Sequence, residues 1–166
     1  GKFAGFPTRA TGAICSAFEP SDHDSITQMG ALEANACIDP HATSIVYRHD
    51  TARHRSVGLD ITRQVTIPGE RFKKSFTHDI HRPIVDMAEV WFQEWEELVT
   101  FHDPLAAAGI FNDDLLTFAR GEVTVELNSP LLQGYTYWNE APDGRHEVAV
   151  DVDKEAFFAE YMSVFS

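Results

Sequence analysis

A histidine and an aspartate stand side by side in Val99-Thr-Phe-His-Asp-Pro-Leu-Ala-Ala-Ala-Gly-Ile-Phe111, where a strand-like run gives way to a helix-compatible one. Junctions of that kind are where α/β proteins place chemistry. His102 offers an imidazole able to move a proton near neutral pH, and Asp103 offers a hard carboxylate for a cation or a hydroxyl. Asp-Pro is also an ordinary helix start, the carboxylate accepting from orphan N–H groups and Pro104 taking the first helical position. Both roles can hold at once, because one carboxylate oxygen can cap while the other binds. For His102 the structural alternative is a partly buried ring bonded to backbone.

A second polar cluster lies in Met29-Gly-Ala-Leu-Glu-Ala-Asn-Ala-Cys-Ile-Asp-Pro-His-Ala42. Glu33 and Asn35 are two apart, so in an extended segment they project the same way and offer a pair of hydrogen-bonding groups. Their alternative role is to fix local turns. His78 and His81 are three apart, which would suit a transition metal on a helix. Pro83 follows closely, so a solvated loop is expected there instead, with Phe72 and Phe76 near it. His41, His49 and His54 read as surface residues.

The elements that position these groups follow from pattern. Asp39 caps a helix over about Pro40 to Arg48, with Ala42, Ile45 and Val46 on one face. Asp86-Met-Ala-Glu89 has capping-box spacing, and the helix it opens aligns Met87, Val90, Trp91, Trp95 and Leu98 in a stripe expected to be core. Val57–Thr62, Glu122–Leu127, Tyr135–Trp138 and Glu147–Val152 have strand character. Asp153 caps a last amphipathic helix through Ala156, Phe157, Tyr161 and Val164. Glu19–Ser25 and the stretch 63–82, punctuated by Pro68-Gly69, read as loops. Strands alternating with helices indicate an α/β fold, an open and mostly parallel sheet with flanking helices and short antiparallel strands near the C-terminus.

Glu33-Ala-Asn35 followed by Asp39-Pro-His-Ala42, then Val57-Gly-Leu-Asp-Ile-Thr62, then Thr100-Phe-His-Asp-Pro-Leu-Ala106, resembles the nucleoside hydrolases, which cut the N-glycosidic bond of ribonucleosides. Gly121-Glu-Val-Thr-Val-Glu126, Gly134-Tyr-Thr136 and Val148–Phe158 resemble that family's closing strands and last helix. The resemblance covers roughly residues 29 to 164, in order, and is to the C-terminal half of the family; residues 1–28 remain unassigned. It implies that Asp103 is a calcium ligand, that His102 faces the nucleobase and assists its departure, and that Glu33 and Asn35 bond ribose hydroxyls. It further implies nucleoside salvage and an oligomer of identical chains. The family's N-terminal Asp-Thr-Asp-Pro-Gly-x-Asp-Asp cluster, source of most calcium ligands and of the general base, has no counterpart here, and Ala34 stands where many members carry an aromatic. One carboxylate is too few for an ion that takes about six to eight oxygens, so catalysis is expected to need an N-terminal half or a second chain. The alternative is a non-catalytic binding or assembly module.

Composition narrows the partners. With 166 residues, 43% of them hydrophobic, the chain can bury a core of its own. A formal net charge of -13 repels phosphate backbones, so a nucleic-acid polymer is an unsuitable partner, whereas a neutral nucleoside is indifferent to it. No apolar run approaches the roughly 18 residues of a membrane span, and no signal-peptide pattern opens the sequence. Two cysteines, Cys15 and Cys37, read as reduced thiols of a cytoplasmic protein. No Gly-x-Ser-x-Gly elbow accompanies His102, which argues against a serine hydrolase.

Overall fold

The computed structural model describes residues 33–95 and 97–165, so Cys15, the 1–28 segment and the run Glu19–Ser25 lie outside the described residues. Helix α1 (Ala34–Ile38) leads into α2 (Pro40–Arg48), which starts where the sequence predicts. Asp39 accepts from the Ala42 N–H at 2.8 Å, and Pro40 occupies the first turn. The face that α2 buries is not the predicted one. Thr43, Ser44 and Tyr47 are inside, while Ile45 and Val46 stand 63% and 50% exposed. Tyr47 decides this: its ring joins the core and its hydroxyl bonds Ser56 Oγ at 2.8 Å, satisfying the polar tip that burial would otherwise strand.

Two segments differ from expectation because long-range contacts override local pattern. The strand predicted over Val57–Thr62 lies upstream, as β1 (His54–Ser56), and Gly58 leads into a one-turn helix, α3 (Leu59–Thr62). The supposed loop 63–82 contains β2 (Thr66–Pro68), α4 (Gly69–Ser75) and a 3-10 turn at Asp79–His81. Val65 and Ile67 are buried there, and β2 pairs antiparallel with β3 (Leu98–Thr100), Ile67 opposite Val99. Phe72 and Phe76, expected beside a solvated loop, belong to the core.

Helix α5 (Arg82–Glu94) begins before the predicted capping box, because Pro83 falls in the first turn, where a missing N–H costs nothing. Its predicted core stripe is the outer one: Met87 and Val90 are mostly exposed, with Trp91, Trp95 and Leu98 beside them. Val85 and Ala88 face inward, and Phe92 lies against Gly69, where a Cβ would come within 2.8 Å of the ring.

The main sheet has the order β1-β6-β4-β5, with β4 (Leu116–Val125), β5 (Thr136–Glu140) and β6 (His146–Val152). β1 runs parallel to β6, and β4 is antiparallel to both its neighbours. The fold is thus α/β with antiparallel strands toward the C-terminus; among the described residues the parallel part of the sheet is the β1–β6 pair. Val148 and Ala149, adjacent on β6, point to opposite faces. Val148 joins Tyr47, Val123, Val125 and Trp138 on one side. Ala149 joins Val57, Ile61, Phe101, Leu105, Leu115 and Phe157 on the other, beneath α6 (His102–Phe111) and α7 (Lys154–Ser163). Asp153 caps α7 as predicted, accepting from Ala156 N–H at 2.9 Å, whereas Val164 lies exposed just past the helix end.

His41 and His49 are at the surface, but His54 is half-buried, stacked on Tyr47 with centroids 4.7 Å apart and edge-on to His146 at 5.1 Å. Burial first, then the neighbouring His146, holds the His54 pKa below its usual 6.5. Unfolded His54 therefore takes up a proton at a pH where the folded ring does not. Its contribution to stability is complete above about pH 6.5 and declines as pH falls toward the folded value. Glu122 and Glu126 are held low chiefly by backbone N–H groups, of Arg145 and Ser129, so their contributions are lost only below about pH 4.5. Urea midpoints measured from pH 8 to pH 4 are expected to fall in two stages, and His54→Phe is expected to remove the upper one. A flat profile between about pH 7 and pH 5 in the unsubstituted chain would contradict this.

Candidate functional site

Helix α6 buries His102, Leu105, Ala106 and Gly109, a single stripe at helical spacing. His102 is the first residue of that stripe, so its ring is drawn inward and is only 8% exposed. Asp103, about 100° further round the helix, stands in the first turn with its side chain at the surface. The aspartate is not the helix cap: Phe101 holds that position and makes no side-chain cap. A carboxylate in the first turn is favoured by the helix dipole without capping.

The imidazole is fixed by a residue that sequence reasoning missed. Thr62 Oγ1 lies 2.7 Å from His102 Nδ1, and Thr62 is fully buried. Thr62, the last residue of α3 rather than part of a strand, supplies a hydroxyl aimed at the start of α6. At the other end of α3, the Leu59 N–H donates to Glu33 Oε1 at 2.8 Å. Leu59 and Thr62 are the first and last residues of one turn, about 4.5 Å apart along its axis. The four-residue helix α3 therefore braces both Glu33 and His102, which are 69 positions apart in sequence.

Glu33 is buried at 2% exposure. It is extended, but α1 begins at the next residue, so Asn35 stands on a helix and the pair does not share a strand face. Asn35 is half-buried, and its carbonyl accepts from the Asp39 N–H at 3.3 Å. The turn before β5 packs against this helix. Gly134, at φ +90°, brings its backbone so close to α1 that a Cβ would lie 2.7 Å from the Ala36 carbonyl oxygen. Cys37, also on α1, is a free, half-buried thiol whose pKa is raised by burial and by the Glu33 carboxylate, so it is not activated as a nucleophile.

The rings of His78 and His81 are 5.7 Å apart at the 3-10 turn, and His81 packs on Phe76 and Phe165. Among the described residues no group of three His, Cys, Asp or Glu is arranged to hold a metal ion. Asp103 is a single carboxylate against the roughly six to eight oxygens that calcium takes, so these residues do not by themselves fit a calcium ion. No helix among them is long and apolar enough to cross a membrane.

The pattern of the inosine-uridine preferring nucleoside hydrolases matches residues 15–159. The chain belongs to that family. It is 29% identical over 137 residues to the inosine-uridine preferring nucleoside hydrolase of Crithidia fasciculata, covering 76% of this chain and 43% of the relative. It is 27% identical over 140 residues to the pyrimidine-specific ribonucleoside hydrolase RihA of Salmonella newport (strain SL254), covering 76% and 44%. The purine-preferring ribonucleoside hydrolase from Gardnerella vaginalis superposes with a TM-score of 0.70 at 25% identity, over 81% of this chain and 46% of that structure. The chain thus spans less than half the length of these nucleoside hydrolases, and it corresponds to their C-terminal half.

Within a nucleoside hydrolase half, the Thr62–His102 bond has a testable role. If His102 moves a proton in a nucleoside hydrolase completed by an N-terminal half, Thr62→Val is expected to lower kcat by about ten- to a hundredfold with little change in KM, because a misaligned proton donor loses rate before affinity. Thr62→Ser should restore the rate. Steady-state kinetics of the three forms checks this; a purely packing role for Thr62 predicts that valine, which keeps the shape, is the better replacement.

Proposed function

We propose that this chain is the C-terminal half of a nucleoside N-ribohydrolase and contributes part of the active site. The observation that carries the proposal is the α3 brace, which fixes Glu33 and His102 at opposite ends of one helical turn in a chain of this family. In the reaction, the oxygen of water bonds to the anomeric carbon of ribose, the bond from that carbon to the base nitrogen breaks, and the base leaves carrying a proton. The transition state resembles an oxocarbenium ion. His102 supplies the departing base with a proton, directly or through a relay. Asn35 and Glu33 hydrogen-bond ribose hydroxyls, with Glu33 held in place by the Leu59 N–H. Asp103 donates one oxygen to a calcium site whose remaining ligands come from the N-terminal half.

The nucleobase is left open by kinship, since the relatives are described variously as inosine-uridine preferring, pyrimidine-specific and purine-preferring. The proposed setting is nucleoside salvage in the cytoplasm, in an oligomer. The test is ribose release from inosine and uridine by this chain alone and when co-expressed with the N-terminal half of the Crithidia fasciculata relative, with and without a calcium chelator. Chelator-sensitive release only when both halves are present is the expected result. Absence of release from the joined halves, or release that Asp103→Ala leaves unchanged, would count against the proposal and favour a binding module.

A further inference from the structure

We infer that Gly134, and the turn between β4 and β5 that carries it, position Glu33 and Asn35 by seating the short helix that Glu33 opens and Asn35 belongs to. Helix α1 is five residues long and Glu33, just before it, makes no side-chain cap. One turn of helix does not hold its own place, so it takes its place from what it packs on. The contact is backbone on backbone. A Cβ at Gly134, where φ is +90°, would lie 2.7 Å from the Ala36 carbonyl oxygen and 2.8 Å from Cys37 Cα, and neither atom can swing aside as the end of a side chain would. At Gly69, by contrast, the added atom would meet only the Phe92 ring. Ala36, at the seat, is 0% exposed.

The turn is itself held at several points. The Gly134 N–H donates to the Glu126 carbonyl at 2.9 Å and the Glu126 N–H to the Tyr135 carbonyl at 2.8 Å, which carries the β4–β5 ladder past its last pair, Val125 and Thr136. The Glu126 carboxylate accepts from the N–H groups of Asn128 at 2.6 Å and Ser129 at 2.8 Å, and Gln133 Nε2 donates to the Leu127 carbonyl at 3.3 Å. Glu126 thus pins the turn through main chain and side chain together. From the seat the path to the site is short, because the Glu33 carboxylate just before α1 accepts the Leu59 N–H that starts α3. The seating rests on these contacts; its bearing on ribose rests on the function proposed above.

The test uses the full 166-residue chain with Cys15→Ser, which leaves Cys37 on α1 as its one thiol. The rate at which a small thiol reagent modifies Cys37 reports the seat, and exchange of the Leu59 amide reports Glu33. Gly134→Ala is expected to raise both rates by about tenfold or more. Burial first, then Glu33, hold the Cys37 pKa above its usual value, so the pH profile of its modification should also move to lower pH. Gly134→Asn carries the same Cβ on a residue that tolerates positive φ and should behave like the alanine variant. Glu126→Ala should give a smaller rise, about threefold, while Gly69→Ala, a Cβ clash remote from α1, should stay within about twofold. In the chain joined to the N-terminal half of the Crithidia fasciculata relative, Gly134→Ala should cut the preference for inosine over at least one of its monodeoxy analogues about tenfold, because the analogue has no hydroxyl for a displaced group to miss. Unchanged Cys37 and Leu59 rates, recovery in Gly134→Asn, or an equal rise in Gly69→Ala would overturn the inference. So would an undiminished preference in joined halves that release ribose. If the Gly134 variants do not fold, Glu126→Ala decides by the same readings. Joined halves that release no ribose before any substitution count against the proposed activity alone, and the Cys37 and Leu59 rates then decide the seating.

Discussion

Alanine at position 102 is expected to cut ribose release from the two joined halves by about two to four orders of magnitude, the usual worth of a positioned proton donor. The expectation rests on placement. His102 opens α6 on the buried stripe of that helix, and its ring is oriented by a hydroxyl that belongs to another element. If the imidazole protonates the departing base, the loss should fall on kcat with KM little changed, since the interaction matters most in the transition state. It should also depend on the leaving group. A riboside of 4-nitrophenol departs without needing a proton, so His102→Ala should be nearly as active as the unsubstituted enzyme on that substrate. Equal losses on inosine and on the 4-nitrophenyl riboside would show that position 102 shapes the site without moving a proton.

The largest expected effect on stability lies at a different histidine. His146 is 1% exposed and closes two open ends of the fold. The β4–β6 ladder ends at the pair Gly121 and His146, and beyond it the Val123 N–H donates to His146 Nδ1 at 3.0 Å. Because Nδ1 accepts, Nε2 carries the proton and donates to the Tyr47 carbonyl at 2.8 Å. That carbonyl is among the last four of α2, which lack helical partners. One ring thus extends a sheet and terminates a helix. His146→Ala strands both groups and opens a cavity beneath Tyr47, for an expected loss of about 3–5 kcal/mol. His146→Phe fills the space without restoring either bond and should recover only part of it. Urea unfolding monitored by tryptophan fluorescence checks both; a loss under about 1 kcal/mol in the alanine variant would mean that water replaces the ring at both bonds.

The sequence singles out the proposed catalytic histidine and passes over the one that holds the fold. His102 carried its signal in a neighbour, Asp103-Pro104, and in its place at a strand-to-helix junction. His146 sits in a polar stretch, Asp143-Gly-Arg-His-Glu147, with no pattern to mark it, and it is buried because β1 and α2 fold over the end of β6. Position 54 has the same history: its ring is covered by Tyr47, whose inward turn reverses the predicted face of α2.

Local chemistry by itself determined the elements whose signals are short-range. Asp39-Pro40 and Asp153 start helices because a carboxylate accepts from an N–H three residues on, and the late strands alternate because their pleat does. The ordered pairs Glu33-Asn35 and His102-Asp103 likewise pointed to the family from residue identity and spacing. Tertiary structure alone decided which faces are buried and who holds the site. The apolar stripes of α2 and α5 point outward because Tyr47 on one, and Val85 and Ala88 on the other, find partners inside. Val57–Thr62 is not a strand because the Glu33 carboxylate, 26 residues upstream, supplies the acceptor that lets a helix begin at Leu59. The other end of that helix gives His102 its partner. Contacts of that range leave no period in the sequence, since their partners are brought together by packing and not by the spacing of neighbours along the chain.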